Sequence, residues 1–291
     1  MYEWQSGSST WTQIGDDIEC DNMITSASLS GDGNVVALGD GSDNSDAEFA
    51  WNARVFHYSG GSWQQVGSDI VGPLTESAYN VKVSISSDGK VLSVGNSESG
   101  TSDHNATLTG RVRIYQWPSN DLAAADTWTQ MGETIEAWKT SEGWSGSEME
   151  PFSRTVYMDA GTLSGDGTRV VVFRDNNDVG DGYVYEWKSS TWSLVGDAIS
   201  LGGEASLSND GNVVAGAYER IYKESGSGAW SRLGSAGWVP RYQVSLSSDG
   251  TRVASGNYGA DISDNSNVGL VEIQEWDSDA RMDDHGANHG S

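Results

Sequence analysis

The fold is decided by Ser28-Leu29-Ser30-Gly31-Asp32-Gly33 and by the apolar run Val35-Val36-Ala37-Leu38-Gly39 that follows it. An Asp-Gly pair between two such runs is a strong local signal for a β-hairpin. The same design occurs five times along the chain, with its turns at Asp32, Asp88, Asp166, Asp210 and Asp249. Five copies of one hairpin indicate a repeat architecture, in which each unit packs on its neighbours.

A second motif fills the gaps between these hairpins. It is an outer strand that ends near Tyr-Glu-Trp and is followed by Trp-x-x-x-Gly. We name the four strands of one repeat A (Ser-Leu-Ser), B (Val-Val-Ala), C (Tyr-Glu-Trp) and D (Trp-x-x-x-Gly). The regular placement of the D-strand tryptophans predicts that they belong to the core. They are Trp11, Trp63, Trp128, Trp192 and Trp230.

Four antiparallel strands, with a small inner strand and bulky outer ones, are typical of one blade of a β-propeller. The chain reads as the end of a C strand, a D strand, four complete units and a final A-B-C. We therefore predict an all-β, five-bladed β-propeller over residues 1–276, followed by a polar tail over residues 277–291. The N-terminal strand is predicted to supply the missing D strand of the last blade, which closes the ring and removes an open strand edge.

These motifs resemble the repeats of FG-GAP and integrin-like β-propellers. They are more closely similar to Tyr-Glu-Trp / Ser-Leu-Ser-x-Asp-Gly repeat proteins of marine microbes, over roughly residues 2–276. Integrin-like members bind calcium in the A–B turn, but the matching positions of the first repeat hold Ser28, Ser30 and the aliphatic Val36. A hard cation needs six or more oxygen ligands, several of them charged. The A–B turns are therefore predicted to be structural hairpins.

The charge of the chain limits its partners. Lys and Arg number 16 against 42 Asp and Glu, which gives a formal net charge of −26. Such a charge repels nucleic acids and anionic membranes, and no apolar stretch approaches the ~20 residues of a membrane helix. We therefore predict no nucleic-acid partner and no membrane insertion.

The compartment is indicated by few features. The single cysteine, Cys20, allows no internal disulfide, and residues 1–20 lack the basic and apolar regions of a signal peptide. Asn105-Ala106-Thr107 is a glycosylation sequon in a predicted loop. With the acidic composition, it favours an extracellular or cell-surface location, which we predict.

The B–C and D–A connections vary in length, as binding loops on a rigid scaffold do. Trp138 and Trp144 lie in the longest D–A connection and are candidate ligand-binding residues. They could stack on sugar rings, or they could anchor the loop to the scaffold. Arg241 and Tyr242, near the start of the last inner strand, are further ligand-binding candidates.

One loop has the composition of a calcium site. Asp175, Asn177, Asp178 and Asp181 alternate oxygen-bearing side chains that could converge on Ca²⁺. The alternative is a turn that the Asp and Asn side chains stabilise by bonding their own backbone. Calcium is accordingly the one cofactor that the sequence suggests.

Two carboxyl residues could support catalysis. Asp159 and Glu204 lie near the starts of two inner strands and are the candidate pair of catalytic carboxyls. A glycoside hydrolase would need them ~5 to 9.5 Å apart. No nucleophile triad, zinc-binding motif or phosphate-binding loop is present.

We predict a non-enzymatic binding or scaffolding module. It would act through the acidic face formed by its B–C and D–A loops, on a protein partner or on further copies of itself. The alternatives are a lectin-like glycan-binding module, with or without calcium, and a five-bladed glycoside hydrolase.

Overall fold

The computed structural model describes residues 1–20, 23–41, 51–73, 80–97, 108–139, 158–159, 161–174, 180–203, 205–217, 220–233, 243–257 and 269–275. Across these ranges the regular structure consists of β-strands alone. A search of the same ranges finds no helix that is long and apolar enough to span a membrane.

The strands form an N-terminal hairpin and five antiparallel sheets. The hairpin is β1 (Tyr2–Gln5) and β2 (Thr10–Gln13). Blade one contains β3 (Ile24–Leu29), β4 (Val35–Gly41), β5 (Trp51–Ser59), β6 (Ser62–Gln65) and β7 (Ile70–Val71). Blade two contains β8 (Asn80–Ile85), β9 (Val91–Ser97), β10 (Leu108–Gln116), β11 (Thr129–Gln130) and β12 (Ile135–Lys139).

Blade three contains β13 (Met158–Asp159), β14 (Arg169–Arg174), β15 (Asp181–Lys188), β16 (Thr191–Leu194) and β17 (Ile199–Ser200). Blade four contains β18 (Ala205–Leu207), β19 (Val213–Gly216), β20 (Arg220–Glu224) and β21 (Trp230–Leu233). Blade five contains β22 (Gln243–Leu246), β23 (Arg252–Asn257) and β24 (Leu270–Glu275).

The strand order confirms the prediction of a five-bladed β-propeller. In blades one to four the sheet runs A-B-C-D from the inside outwards, as the repeat predicted. In blades one to three the D strand is split into two short strands that both pair with strand C. The split follows the glycine of Trp-x-x-x-Gly, which has a positive φ at Gly67, Gly132 and Gly196 and so interrupts regular pairing.

The N-terminal strand lies elsewhere than predicted. β2 pairs with β1, and the described part of blade five is a three-stranded sheet without a D strand. The hairpin is held on blade one instead, where Trp63 Nε1–H donates a hydrogen bond of 3.0 Å to the Ile14 carbonyl. The prediction that β2 closes the ring as the D strand of blade five is therefore wrong. Instead, β2 lies beside β6 of blade one, where the outer strand of a preceding blade would lie.

The same indole-to-carbonyl bond joins all consecutive D strands. Trp128 donates to the Val66 carbonyl, Trp192 to that of Met131 and Trp230 to that of Val195, at 2.8–2.9 Å. These tryptophans were predicted to be core residues; they are half-buried, and each joins its blade to the preceding one. Trp11 was predicted to be a core residue but is 65% exposed, because no described blade precedes it.

The hydrophobic core is divided into four clusters, each between two consecutive blades. We call the face of a blade toward the next blade its trailing face, and the face toward the preceding blade its leading face. Between blades three and four, Val184 on the trailing face and Leu207 and Val214 on the leading face belong to one cluster. The other three clusters repeat this arrangement. Burial between blades therefore supplies most of the apolar stabilisation.

The A–B turns use their aspartates internally. In the first turn, Asp32 Oδ1 accepts hydrogen bonds from the Ser30 hydroxyl at 2.7 Å and from the Asn34 N–H at 3.0 Å. The serine hydroxyl in turn accepts the N–H of Val35. Each of the other four turns also has its aspartate bonded to the serine hydroxyl two residues earlier. The carboxylate thus holds the hairpin in shape.

These hydrogen bonds lower the pKa of several turn carboxyls. The Ser247 hydroxyl and the Thr251 N–H lower the pKa of Asp249 from its ordinary 3.8 to about 2. At Asp166, burial raises the pKa, but bonds from Thr168 and Ser164 outweigh it and the net shift is downward. The pKa values of Asp32 and Asp210 are lowered too.

Acid should therefore destabilise the fold through the turns. A carboxyl with a lowered pKa stabilises the folded state while it is ionised, above about pH 4, and this stabilisation is lost as the pH falls through its folded pKa. We expect Asp166→Asn to lower the urea midpoint at neutral pH, and the gap to wild type to shrink as the pH falls towards about 2. Glu133→Gln, an exposed carboxylate outside the turns, is the control. A gap that does not change with pH would contradict this account.

Candidate functional site at the axis

One end of the propeller axis is closed by the A–B turns. Ser87 N–H donates to the Gly165 carbonyl, and Gly165 N–H donates to that of Asn209, both at 2.8 Å. Ser87 Oγ also contacts Asn209 Oδ1 at 2.8 Å. The turns of blades two, three and four therefore meet at the axis. A ligand would have to approach from the opposite end, where the B–C and D–A connections lie.

The inner strands hold each other through serine hydroxyls. Ser28 Oγ accepts the N–H of Ile85 at 3.1 Å, and Ser84 Oγ accepts that of Leu163 at 3.0 Å. Ser206 repeats this contact with blade five. Because side chains alternate along a strand, the residues two positions before these serines share their face. These residues lie nearer the open end of the axis.

Strand register places four inner-strand residues at one level. Ser26 is paired with Gly39, Lys82 with Gly95, and Gln243 with Gly256. These three glycines are the same position of strand B, seven residues after the turn aspartate. In blade three the residue seven positions after the turn aspartate is Phe173, and Phe173 is paired with Asp159. We call Ser26, Lys82, Asp159 and Gln243 the axial ring.

Asp159 reaches this level through an irregularity in blade three. Counted along the sequence, residue 160 should match Lys82, because Thr162 matches Ser84. However, Leu163 pairs with Val170 while Asp159 pairs with Phe173, so the inner strand contains one extra residue between them. Such bulges redirect side chains and are frequent beside active sites. Lys82 and Asp159 thereby stand at matching positions of adjacent inner strands.

The axial ring combines opposite charges with hydrogen-bonding groups. Lys82 is half-buried and Gln243 is exposed, whereas Ser26 is committed to blade two through Val81 and Val83. Lys82 places a cation at the axis of a strongly acidic protein. A cation and a carboxylate are the two kinds of group that assist the hydrolysis of a carbonyl compound, and the backbone register brings the positions of Lys82 and Asp159 level on adjacent inner strands.

The other predicted site residues do not belong to the axial ring as the structure describes it. Trp138 was predicted to lie in a loop, but its backbone belongs to β12, opposite Thr109 in the outer part of blade two. The predicted loop position is therefore corrected, because the D strand continues past its glycine, whereas ligand binding by Trp138 stays a prediction. Outside the described residues lie Trp144, Glu204, Arg241 and Tyr242.

Of the four residues of the predicted calcium loop, the structure describes one. Asp181 begins β15, where it is paired with Arg174 and Ser200, and Asp175, Asn177 and Asp178 lie outside the described residues. In the ranges that the structure describes, no three His, Cys, Asp or Glu side chains are grouped as metal ligands. The calcium site stays a prediction.

A second polar cluster, on blade one, was not anticipated from the sequence. Arg54 lies 3.1 Å from Asp69 and 3.7 Å from the buried Asp40. Burial raises the pKa of Asp69, but hydrogen bonds from Asn52 and Gln65, together with the Arg54 cation, outweigh burial and lower the pKa overall. The pattern that could have revealed it is the alternation of Asn52 and Arg54 along a strand with apolar neighbours. It lies on the leading face of blade one.

Comparisons with known proteins identify the fold. No family model matches the chain, and no curated protein sequence matches it. Among solved structures, it is similar to the periplasmic gluconolactonase of Pseudomonas aeruginosa (14% identity, TM-score 0.56), over 87% of this chain and 70% of that one. A candidate 6-phosphogluconolactonase from Bacteroides uniformis matches with 10% identity and TM-score 0.57, over 96% and 74%.

A protein from Lactobacillus plantarum matches as well, with 17% identity and TM-score 0.53, over 87% of this chain and 69% of that one. Identities this low show the fold, and the class of protein is accordingly a β-propeller. The finer resemblance to FG-GAP and marine repeat proteins rests on the sequence motifs alone.

The same structures correct the prediction of a non-enzymatic scaffold. That prediction rested on repeat motifs that indicate architecture rather than activity and on the lack of a recognised catalytic motif in the sequence. A protein named as a gluconolactonase has this fold, so the fold gives no ground for excluding an enzyme.

Proposed function

We propose that this chain is a hydrolase that opens a small, neutral sugar lactone at the axial ring. The observation that carries the proposal is the matching register of Lys82 and Asp159 in adjacent inner strands. The names of the similar structures agree with this reaction class, although identities of 14% and 10% transfer no activity by themselves.

In this reaction a water molecule attacks the lactone carbonyl carbon. The Asp159 carboxylate takes the proton from the water as the new C–O bond forms. The Lys82 ammonium stabilises the negative charge that develops on the carbonyl oxygen. The ring C–O bond then breaks, and the leaving alkoxide receives the proton to give a hydroxy acid. The net charge of −26 favours departure of this anionic product.

The charge also selects the substrate. A phosphorylated lactone would be repelled by a protein of net charge −26, so we propose an unphosphorylated aldonolactone. Gln243 supplies an amide donor and acceptor for its hydroxyl groups. Glu204, Arg241 and Tyr242 belong by sequence to the same end of the inner strands, and we propose them as further substrate contacts. Because the similar protein of Pseudomonas aeruginosa is named as periplasmic, we also propose that this chain acts outside the cytoplasm.

Removing the cation should abolish most of the activity. We expect Lys82→Met to lower kcat/KM for D-glucono-1,5-lactone by about 100-fold, the usual cost of losing one oxyanion-stabilising group. Asp159→Asn should lower it by about 100-fold or more. The measurement is acid release in a pH-stat, corrected for spontaneous hydrolysis.

Lys90→Met is the matched control, because Lys90 follows the A–B turn of the same blade at the closed end of the axis. It should retain wild-type activity. A wild-type protein that does not accelerate hydrolysis, or a Lys82→Met variant as active as wild type, would contradict the proposal.

A further inference from the structure

The trailing face of blade five and the leading face of blade one are complementary in the way that the faces of consecutive blades are. In the described residues these two faces are not packed together. On the trailing face, strand C carries one apolar residue that is at most 1% exposed in blades one to four. These residues are Val55, Ile114, Val184 and Ile221. The matching residue of blade five, Ile273, is 73% exposed, and its neighbour Val271 is 72% exposed. The trailing face of blade five is therefore uncovered.

The leading face of blade one is uncovered at its inner strand. Its A-strand residue Leu29 is 49% exposed. The matching residues of blades two, three and four, Ile85, Leu163 and Leu207, are only 5–6% exposed because the preceding blade covers them. The N-terminal hairpin contacts the outer part of blade one through Ile14 and Trp63, so that, in the part of the chain that the structure describes, no blade packs on β3 from this side.

The hydrogen bonds between blades stop at the same two places. Gly31 N–H begins a series of turn-to-turn bonds by donating to Ser87, and Asn209 N–H ends it by donating to the Ser248 carbonyl. Among the described residues, no bond joins Ser248 to Gly31. The serine hydroxyls show the same break. The described ranges contain no bond between the Ser245 hydroxyl of blade five and the Leu29 N–H of blade one, which would be the next bond of the series.

The space around the strand B glycines also differs between blade one and blade five. A Cβ at Gly39 would lie 3.1 Å from both Val81 and Val83 across the interface with blade two. A Cβ at the matching Gly256 would meet nothing within 4 Å. Gly256 thus keeps the space that an adjoining blade requires, although no described blade packs on this face.

We propose that a second copy of this chain completes the interface, its inner strand β3 packing on the trailing face of blade five. Four interfaces of the same kind already hold the blades of one chain together, so the two uncovered faces carry the complementary groups. The contact joins different surfaces of the two copies and is therefore heterologous, head to tail. Because both copies carry a net charge of −26, the association should strengthen as salt screens their repulsion.

The test uses one charged substitution on each face. We expect wild type to associate in sedimentation velocity as its concentration and the salt concentration rise, and both Ile273→Asp and Leu29→Asp to remain monomeric. Each variant keeps one intact face. An equimolar mixture of the two should therefore form a dimer that neither forms alone, and this complementation is specific to a head-to-tail contact.

Leu194→Asp is the matched control, since Leu194 is 48% exposed on β16 in the middle of the array, and it should associate like wild type. A wild type that is monomeric throughout would overturn the proposal. So would association that both single variants retain, or a mixture that stays monomeric. Monomers that lose thermal stability equally with either substitution would show that the faces meet within one chain, which also overturns it.

Discussion

Replacing Gly161 with alanine is expected to lower the free energy of unfolding by at least about 3 kcal/mol, one of the largest effects for a single methyl group. A Cβ at Gly161 would lie 1.0 Å from the Val171 carbonyl oxygen. That oxygen is backbone in a buried part of β14, so no side chain can move aside to make room.

The damage should reach the neighbouring blade and the axial ring. The Gly161 carbonyl accepts a hydrogen bond of 3.0 Å from the Ser93 hydroxyl in blade two, and a backbone shift would break it. Gly161 also belongs to the irregular segment that brings Asp159 to the level of Lys82. Lactone hydrolysis should therefore fall together with stability.

Urea unfolding followed by tryptophan fluorescence measures this effect. Gly7→Ala is the control, because a Cβ there meets nothing within 4 Å, and its free energy of unfolding should stay within about 0.5 kcal/mol of wild type. A Gly161→Ala protein within about 1 kcal/mol of wild type would show that blade three can open without cost at this point.

The blades were predictable from the sequence because the repeat encodes them locally. Each Asp-Gly turn fixes a hairpin, and the period of two along strands B and C fixes which residues enter the interface. Val184 and Val214, for example, lie in the same cluster between blades three and four. The repeat therefore specified the number of blades and the order of their strands.

The axial ring was not predictable in the same way. The candidate pair Asp159 and Glu204 was chosen only because both residues lie near the starts of inner strands. In a regular inner strand residue 160, and not Asp159, would be level with Lys82. One extra residue before Leu163 changes the register and places Asp159 level with Lys82. A bulge of this kind depends on contacts with the adjoining strand, which no local motif reveals.

The place of the N-terminal strand was also undetermined by the motifs. The chain contains a C-D pair at its start and an A-B-C unit at its end, so both β1 and β24 have the sequence of a C strand. Pairing of β1 with β2 is local, whereas pairing of β2 with β24 would close a loop of more than two hundred residues at an entropic cost. The hairpin forms, and in the described residues β24 at the outer edge of blade five has no D strand beside it.

Replacing Arg169 with methionine is expected to lower the free energy of unfolding by about 3 kcal/mol, because it leaves a buried carboxylate without its cation. Arg169 donates to Glu186 at 2.9 Å within blade three and to Asn212 at 2.7 Å in blade four. It also lies 3.8 Å from Glu224, whose side chain is only 5% exposed. Methionine keeps the length of the side chain, so the loss reports charge and hydrogen bonds more than packing.

The repeat supplies the control for this prediction. Arg252 occupies the same position of strand B in blade five and donates to Glu275 at 3.0 Å, but both side chains are about 60% exposed. Exposed ion pairs contribute little because water and salt screen them, so Arg252→Met should match wild type in urea unfolding. Equal losses for the two variants would mean that the arginine stabilises its own blade. A loss confined to Arg169→Met would show that it acts by joining blade three to blade four.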